Sequence, residues 1–242
     1  MRPLNEGSEQ LAGRPILGSM TRARIALLAV VSALVTAVLA PAAFACPKGY
    51  SYAGLYSPTK ASGIGATISM LDLPTVAGES SHVAGWVGVG GPGLGLHGED
   101  EWLQVGLATF GDSTDGRLYY ELAQPGRAPE YVELASGIVP GVRVRVAVME
   151  LQFARDSWIV VSPAGISGPF YLPHSHRAWE PVATAESYAA TPQCNRYTYR
   201  FGGLQVPRTD GTWQTMRRSE TLQDPGWRLR RHGASAFSAT TA

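Results

Sequence analysis

The sequence predicts an all-β protein whose strands form an antiparallel, two-sheet β-sandwich of the jelly-roll kind. About ten short segments alternate apolar and polar residues with the period of two that a half-buried strand requires. Clusters of glycine, proline, serine and aspartate separate these segments, as the turns of an antiparallel sheet do. Beyond residue 45, no long segment repeats its apolar residues with the helical period. These patterns favour a single sandwich over a helical or mixed fold.

We expect three regions along the chain, of which the first is a secretory signal peptide over residues 1–45. A pair of arginines precedes the apolar run 25–40, and the small-residue site Ala43-Phe44-Ala45 follows it. Met20 is a candidate for the true start, because a signal that begins there has a more usual charged segment. The apolar run is short for a membrane span. The sequence therefore predicts a secreted, extracellular protein without stable membrane association.

The other two regions are a β-sandwich domain over residues 46–209 and a basic C-terminal tail over residues 210–242. The alternation of apolar and polar residues fades after residue 209. Arginines accumulate there instead, namely Arg217, Arg218, Arg228, Arg230 and Arg231. A charged segment without a clear apolar face has little surface to bury, so we expect the tail to be flexible.

The predicted strands of the domain follow one another at short intervals. Their bounds are 49–54, 63–71, 82–89, 101–110, 117–122, 131–134, 142–148, 158–161, 182–188 and 197–206. The segment 142–148 shows the strictest alternation. Segments 82–89 and 101–110 are separated by a glycine-rich loop, and strands that are consecutive in sequence usually lie side by side in a sheet. We therefore expect these two segments to pair.

This central pair of strands has two unlike faces. One face of each strand is aliphatic and suits a core. The opposite face carries Trp86 on the first strand, and Trp102 and Gln104 on the second, among glycines and alanines. A core does not require such a mixture of small and aromatic residues, but a groove that holds an extended ligand does. The sequence therefore predicts a ligand groove on this face.

Cys46 and Cys194 are the two cysteines of the chain. In an oxidising compartment two cysteines most simply pair, so we expect a disulfide bond between them. Lipidation of Cys46 after signal cleavage is the alternative. The residues Ala43-Phe44-Ala45 lack the aliphatic residue expected before a lipidated cysteine, which favours the disulfide.

The charge of the chain gives no electrostatic reason for binding nucleic acid or membranes. Without residues 1–45 the formal charge changes from +1 to −1, because four arginines and two glutamates are lost. We expect a monomer whose partner is a polypeptide substrate or, if the protein only binds, a glycan or peptide ligand.

Gln104 and Glu186 are the side chains best placed for chemistry, because small neighbours leave room around each of them. A carboxylate can take a proton from water and return it to a leaving amine. An amide can donate to the oxygen that becomes negative in the tetrahedral intermediate. The pair would therefore suit peptide hydrolysis. An ordinary structural hydrogen bond is the alternative for either residue alone.

Other candidate sites are less favoured. Glu121, Glu150 and Glu186 would permit glycoside hydrolysis only if two of them came close together. His174-Ser175-His176 offers two metal ligands without a third at a recognisable spacing, so a polar loop is the better interpretation. The glycine-rich loop that begins at Gly88 precedes no helix and does not predict a nucleotide site. We expect no metal and no cofactor.

Four short motifs resemble those of the glutamic peptidases, or eqolisins, which are secreted peptidases with a concanavalin-like β-sandwich. The family's W-V-G-I-D-G is similar to Trp86-Val87-Gly88-Val89-Gly90-Gly91, and its L-Q-x-G to Leu103-Gln104-Val105-Gly106. A tyrosine-rich Y-E strand corresponds to Tyr119-Tyr120-Glu121, and an A-E-W segment to Ala185-Glu186-Ser187. The order and rough spacing agree over about residues 80–206. Glycine replaces the family's aspartate at position 90, and serine replaces its tryptophan at position 187.

The resemblance implies an endopeptidase that acts in acid. Glu186 would be the general acid and base, and Gln104 the donor to the oxyanion. Trp86, Trp102, Tyr119 and Glu121 would contact the substrate, and no cofactor would be needed. A non-catalytic β-sandwich module that binds glycan or peptide on its aromatic face is the alternative function.

Overall fold

The structure is a computed structural model that describes residues 48–111 and 113–241. These residues form β-strands joined by turns and loops, and none of them lies in an α-helix. Accordingly, the described part of the chain offers no helix long and apolar enough to span a membrane. The strands are β1 (Gly49–Tyr56), β2 (Gly63–Met70), β3 (His82–Gly91), β4 (Glu101–Phe110), β5 (Gly116–Ala123), β6 (Glu130–Ile138), β7 (Val144–Leu151), β8 (Ala154–Ser162), β9 (Gly165–Tyr171), β10 (Val182–Ala189), β11 (Thr198–Pro207), β12 (Trp213–Thr215), β13 (Glu220–Gln223), β14 (Trp227–Arg231) and β15 (Phe237–Thr241).

The strands are arranged in two antiparallel sheets. The seven-stranded sheet has the order β13-β1-β10-β3-β4-β5-β6. The eight-stranded sheet has the order β14-β15-β11-β2-β7-β8-β9, with β12 paired to β11 beside this path. This arrangement confirms the predicted all-β, two-sheet sandwich. It also confirms that the segments around Trp86 and Gln104 are neighbouring strands, because β3 pairs with β4 over their full length.

The core lies between the two sheets and is made by the aliphatic faces that the alternation predicts. Val83 and Val87 of β3 are fully buried, as are Ile68 of β2 and Tyr199 of β11 on the opposite sheet. Burying one such side chain contributes about 1.5–3 kcal/mol. Gly85 lets the Tyr199 ring approach the sheet, because a Cβ at that glycine would lie 2.6 Å from Cδ1 of the ring.

The C-terminal segment is part of the sandwich, so the predicted flexible tail over 210–242 and the domain end at residue 209 are wrong. β13 pairs with β1 and β15 pairs with β11. Trp227 and Phe237 are 6% and 0% exposed and belong to the core, where the Phe237 ring stacks on Phe201 with centroids 4.4 Å apart. The prediction was wrong because it took the arginines as the mark of a flexible segment. Arg228 and Arg230 instead lie on the solvent face of β14, where they alternate with more buried residues.

Besides the C-terminal strands, β9 is a strand that the sequence did not predict. It contains Gly165, Gly168 and Pro169, residues that usually interrupt a strand. The structure accommodates them because β9 is an edge strand that pairs on one side only, with β8.

Several predictions concern residues outside the described ranges. The signal peptide over 1–45, the start at Met20 and the Cys46 half of the disulfide all lie there. They remain predictions.

Phe237→Ala should destabilise the protein by about 3–5 kcal/mol, because it would leave a cavity where two stacked rings now fill the core. Urea unfolding followed by fluorescence measures this change. Phe153, which is 96% exposed, supplies the matched control, and Phe153→Ala should change stability by less than about 0.5 kcal/mol. An equally small effect of Phe237→Ala would mean that the C-terminal strands are not part of the folded core.

Glu101 should make the protein less stable as the pH rises from acid to neutral. Its side chain is 1% exposed, and its Oε1 has no hydrogen-bond partner among the described residues. Burial, and after it the nearby Glu99 and Asp156, raise the pKa of Glu101 from 4.5 to about 7. The folded protein therefore binds a proton that the unfolded chain releases between these values, and stability falls across this range.

Glu101→Gln should remove this contribution, because the amide resembles the protonated acid. At pH 4 the two proteins should have similar thermal midpoints. At pH 8 the midpoint of the variant should be higher, because its free energy of unfolding exceeds that of the parent by on the order of 1 kcal/mol or more. Glu130→Gln, at an exposed position, is the control. If the thermal midpoints of variant and parent differed by the same amount at pH 4 and pH 8, Glu101 would not be a buried acid that ionises near neutrality.

Candidate functional site

A groove of about 350 Å³ crosses the outer face of the seven-stranded sheet. We call it the central groove. Residues from β1, β3, β4, β5 and β10 line it, including Tyr52, Trp86, Trp102, Gln104, Glu121 and Glu186. These side chains face away from the core because they alternate with the buried aliphatic residues of the same strands.

Glycines leave room for the large side chains on this face. Gly106 of β4 is paired with Trp86 on one side and with Tyr119 on the other. A Cβ at Gly106 would lie 2.7 Å from Trp86 Cα, so that no other residue fits without displacing β3. A Cβ at Gly88 would similarly lie 2.9 Å from Gln104 Cβ. The alternation of small and aromatic residues therefore produces the hollow that the sequence predicts.

Glu186 of β10 is held by two donors from β3. Its Oε2 accepts a hydrogen bond from Trp86 Nε1 at 3.0 Å, and its Oε1 lies 3.1 Å from His82 Nε2. The residue is 7% exposed. Ala84, its partner in the β3–β10 register, is too small to cover the carboxylate. The structure thus orients the Glu186 carboxylate and removes most of its contact with water.

Gln104 of β4 is directed by β5. Its Nε2 lies 3.3 Å from the Tyr119 hydroxyl oxygen and 3.5 Å from Glu121 Oε2, to both of which it can donate. Gln104 is paired with Glu121 in the register and is 7% exposed. Both hydrogens of the amide nitrogen are thus directed at β5, and a ligand oxygen at the wall of the central groove would take the place of Glu121 Oε2, the more distant acceptor.

Glu121 brings a second carboxyl group to the central groove. Burial raises the pKa of Glu121, and the negative charge of Glu186 raises it further. A hydrogen bond from Trp102 and the charge of His82 act in the opposite direction with smaller effect. Glu121 therefore stays protonated to a higher pH than an exposed glutamate does.

Four neighbouring strands each contribute one polar side chain to the site. In the order of the sheet these are Glu186 on β10, Trp86 on β3, Gln104 on β4 and Glu121 on β5. Within the described chain, no hydrogen bond joins Gln104 directly to Glu186. An extended chain bound in the groove would pass between a carboxylate and an amide donor.

The structure brings five of the six predicted site residues to the surface of the central groove. Tyr119 is the exception, because it is 2% exposed and lies beneath Gln104. It therefore supports Gln104 and does not contact a ligand directly, which corrects its predicted role in substrate binding.

The other candidates lie apart from this site. Glu150 belongs to the opposite sheet, where His176 Nδ1 lies 2.8 Å from its Oε1. His176 lies in a loop between β9 and β10, which agrees with the polar loop that the sequence predicts. Both histidines of this loop are exposed, and Ser175 between them is buried. Among the described residues no three or more His, Cys, Asp or Glu side chains are grouped so that they could hold a metal ion.

Sequence reasoning missed His82. Its ring packs against Tyr188, with centroids 5.4 Å apart, and against Phe110 at 5.7 Å, while Nε2 reaches Glu186. Alternation places His82 on the same face as Trp86. Its contact with Glu186 could not be predicted, because it depends on the pairing of β3 with a strand about a hundred residues later.

No protein-family model and no curated protein sequence matches the chain. Its structure, however, is similar to solved structures of glutamic peptidases. Scytalido-glutamic peptidase with a transition state analog inhibitor superimposes with a TM-score of 0.53 and 14% sequence identity, over 81% of this chain and 98% of that one. SCP-B, a member of the eqolisin family in a complex with the tripeptide Ala-Ile-His, gives a TM-score of 0.51 and 14% identity over the same shares. The chain therefore has the β-sandwich fold of the glutamic peptidases.

Proposed function

We propose that the protein hydrolyses peptide bonds in acid, with Glu186 as general acid and base and Gln104 as the donor to the oxyanion. The observation that carries this proposal is the central groove itself. It places a nearly buried carboxylate with two fixed donors two strands away from an oriented amide. The fold shared with glutamic peptidases supports the same chemistry.

The reaction needs one water molecule and returns every proton. Glu186 takes a proton from the water as its oxygen bonds to the scissile carbonyl carbon. The carbonyl oxygen becomes negative, and the Gln104 amide donates a hydrogen bond to it. The C–N bond then breaks as Glu186 gives its proton to the leaving nitrogen. The products are a carboxylic acid and an amine, and no cofactor takes part in these steps.

Acidic conditions suit the carboxyl groups of the groove. Because the pKa of Glu121 is raised, this residue stays protonated to a higher pH than an exposed glutamate. A protonated Glu121 reduces the negative charge beside Glu186 and leaves an acid that can donate to a substrate carbonyl. Activity should therefore fall as the pH rises and Glu121 ionises.

The substrate in this proposal is a polypeptide, and the protein acts outside the cell. The solved scytalido-glutamic peptidase and SCP-B hold a peptide-based transition state analog and a tripeptide, respectively. The expected signal peptide over residues 1–45 and the expected Cys46–Cys194 disulfide suit an extracellular enzyme.

A binding module without catalysis is the second candidate, and a row of aromatic rings favours it. Tyr50, Tyr188, His82, Phe110 and Tyr131 contact one another in this order across the sheet, with centroid separations of 4.8 to 5.7 Å. Such a row could stack on a glycan or on the side chains of a peptide.

Cleavage of a denatured protein substrate, scanned from pH 2 to pH 8, tests the proposed function. We expect cleavage that is strongest in acid. Glu186→Gln should reduce kcat/KM by about 10²–10⁴-fold, and Gln104→Ala by about 10²–10³-fold. Glu133→Gln, which changes a partly exposed glutamate outside the groove, is the control and should leave the rate unchanged.

Three results would contradict the proposal. Full activity in Glu186→Gln would exclude this residue as the general base. Absence of cleavage at every pH, from protein that unfolds cooperatively and retains peptides or glycans, would favour the binding module. Cleavage of glycans and not of peptides would assign Glu121 and Glu186 to glycoside hydrolysis.

His82→Phe should lower the rate of this activity. The phenyl ring keeps the packing against Tyr188 and Phe110 but removes the contact with Glu186. Without this contact, Trp86 alone orients the Glu186 carboxylate, so kcat should fall. His82→Gln can still donate to Glu186, and it should recover part of the rate lost in His82→Phe. An unchanged kcat in His82→Phe would show that His82 only packs.

A further inference from the structure

Two hollows of about 500 and 340 Å³ meet on a different part of the surface, where Pro207, Arg208 and Thr209 line both of them. We call the combined surface the basic groove. Its cationic lining consists of Lys60, Arg155, Arg177, Arg208, Arg217 and Arg218. No residue lines both this groove and the central groove.

The basic groove is far from neutral, although the chain as a whole nearly is. Its lining includes six of the chain's 20 lysines and arginines but one of its 19 acidic residues, Glu150. Glu150 is 6% exposed, and both of its oxygens are within 2.9 Å of His176 Nδ1. All six cationic residues are exposed, and none forms an ion pair with a carboxylate of the described chain.

Neighbouring carboxylates do not compensate this charge. Asp210 accepts hydrogen bonds from the hydroxyl and backbone N–H of Thr212, which lower its pKa, and the charge of Arg208 lowers it further without an ion pair between them. Glu220 accepts a hydrogen bond from the Tyr56 hydroxyl. The positive charges therefore remain available to an anionic ligand.

The segment that carries Arg217 and Arg218 is held at both ends. The preceding Met216 is 2% exposed, and its backbone N–H donates to Leu204 O at 3.0 Å. After the two arginines, Arg231 donates to the carbonyl and hydroxyl oxygens of Ser219, at 3.0 and 2.8 Å. Because this backbone is already fixed, little conformational entropy of the segment is lost when a ligand binds to the two arginines.

Arg208 is fixed in a similar way within a tight turn. Its N–H donates to Thr212 O at 2.7 Å, and its Nε donates to Gln214 Oε1 at 3.1 Å. Arg208 lines both hollows, and its terminal nitrogens form no hydrogen bond or ion pair among the described residues. The groove is thus a preformed set of cations and not a mobile charged tail.

We propose that the basic groove binds a linear phosphate polymer without bases, such as a polyphosphate chain. Five of the six cations are arginines, whose forked donors match tetrahedral oxyanions. Cations distributed over two joined hollows fit a ligand with several anionic groups better than a single ion. Apart from His176 the lining contains no aromatic ring, whereas single-stranded nucleic acids are usually held by stacking on such rings.

Fluorescence anisotropy with labelled linear inorganic polyphosphate tests this site on the purified protein. We expect binding that weakens as salt increases, since each phosphate contact releases counterions. Arg217→Glu/Arg218→Glu should weaken binding at least about tenfold and reduce the slope of log K against log salt by about two. Arg217→Gln/Arg218→Gln, a milder change, should weaken binding in the same direction if the double reversal fails to fold.

The matched control is Arg228→Glu/Arg230→Glu, which makes the same charge change at exposed positions of β14 outside the groove. It should change the affinity by less than about twofold, and Glu186→Gln should leave the affinity unchanged even if the proposed peptidase activity is absent. Equal weakening by the control would show that binding is unspecific. Failure to bind polyphosphate, or tighter binding of orthophosphate, heparin, poly-glutamate or a single-stranded oligonucleotide, would overturn the proposal.

Discussion

The candidate site depends on the position of β10 between β1 and β3. This strand is antiparallel to both, with Glu186 opposite Tyr52 on one side and Ala84 on the other. The pairing brings a residue from late in the chain under the Trp86 indole and beside the His82 ring. Side chains in a sheet alternate between its faces, so a register shift of one residue would turn Glu186 into the core. The buried Ala183 and Ala185 on the core face of β10 oppose such a shift.

Much of the fold and part of the site could be predicted from the sequence, because both follow from local alternation. Trp86, Trp102 and Gln104 share a face for the same reason that the intervening valines and leucines are buried. Contacts between strands distant in sequence could not be predicted in this way. The contact of His82 with Glu186 is one example. The stacking of Phe237 on Phe201, which joins the C-terminal strands to the core, is another.

The C-terminal strands show how composition can mislead. Arg228 and Arg230 give the segment the charge of a flexible tail, yet Trp227 between the turn and the arginines is buried. A short strand at the edge of a sheet needs only one or two apolar side chains to attach it, and its exposed face tolerates any charge. The same segment provides Arg231, whose hydrogen bonds fix the loop that carries Arg217 and Arg218.

Two carboxyl groups with raised pKa values, of the buried Glu101 and the half-buried Glu121, respond to acid at different places in the molecule. Glu101 lies on the core side of β4 and influences stability, whereas Glu121 lies on the groove side of the sheet and influences the charge beside Glu186. In both cases burial raises the pKa, so protonation removes a charge that the fold accommodates poorly. Acid therefore favours the folded state through Glu101 and lowers the negative charge of the central groove through Glu121.

In the proposed reaction, Glu186 and Gln104 act on one reacting carbon held between them. A crystal structure of the protein with a peptide-based transition state analog tests this most directly. We predict that one tetrahedral oxygen of the analog lies within about 2.5–3.2 Å of a Glu186 carboxylate oxygen, and another within the same distance of Gln104 Nε2. An analog bound elsewhere, or bound in the central groove with its tetrahedral centre out of reach of either residue, would contradict the account.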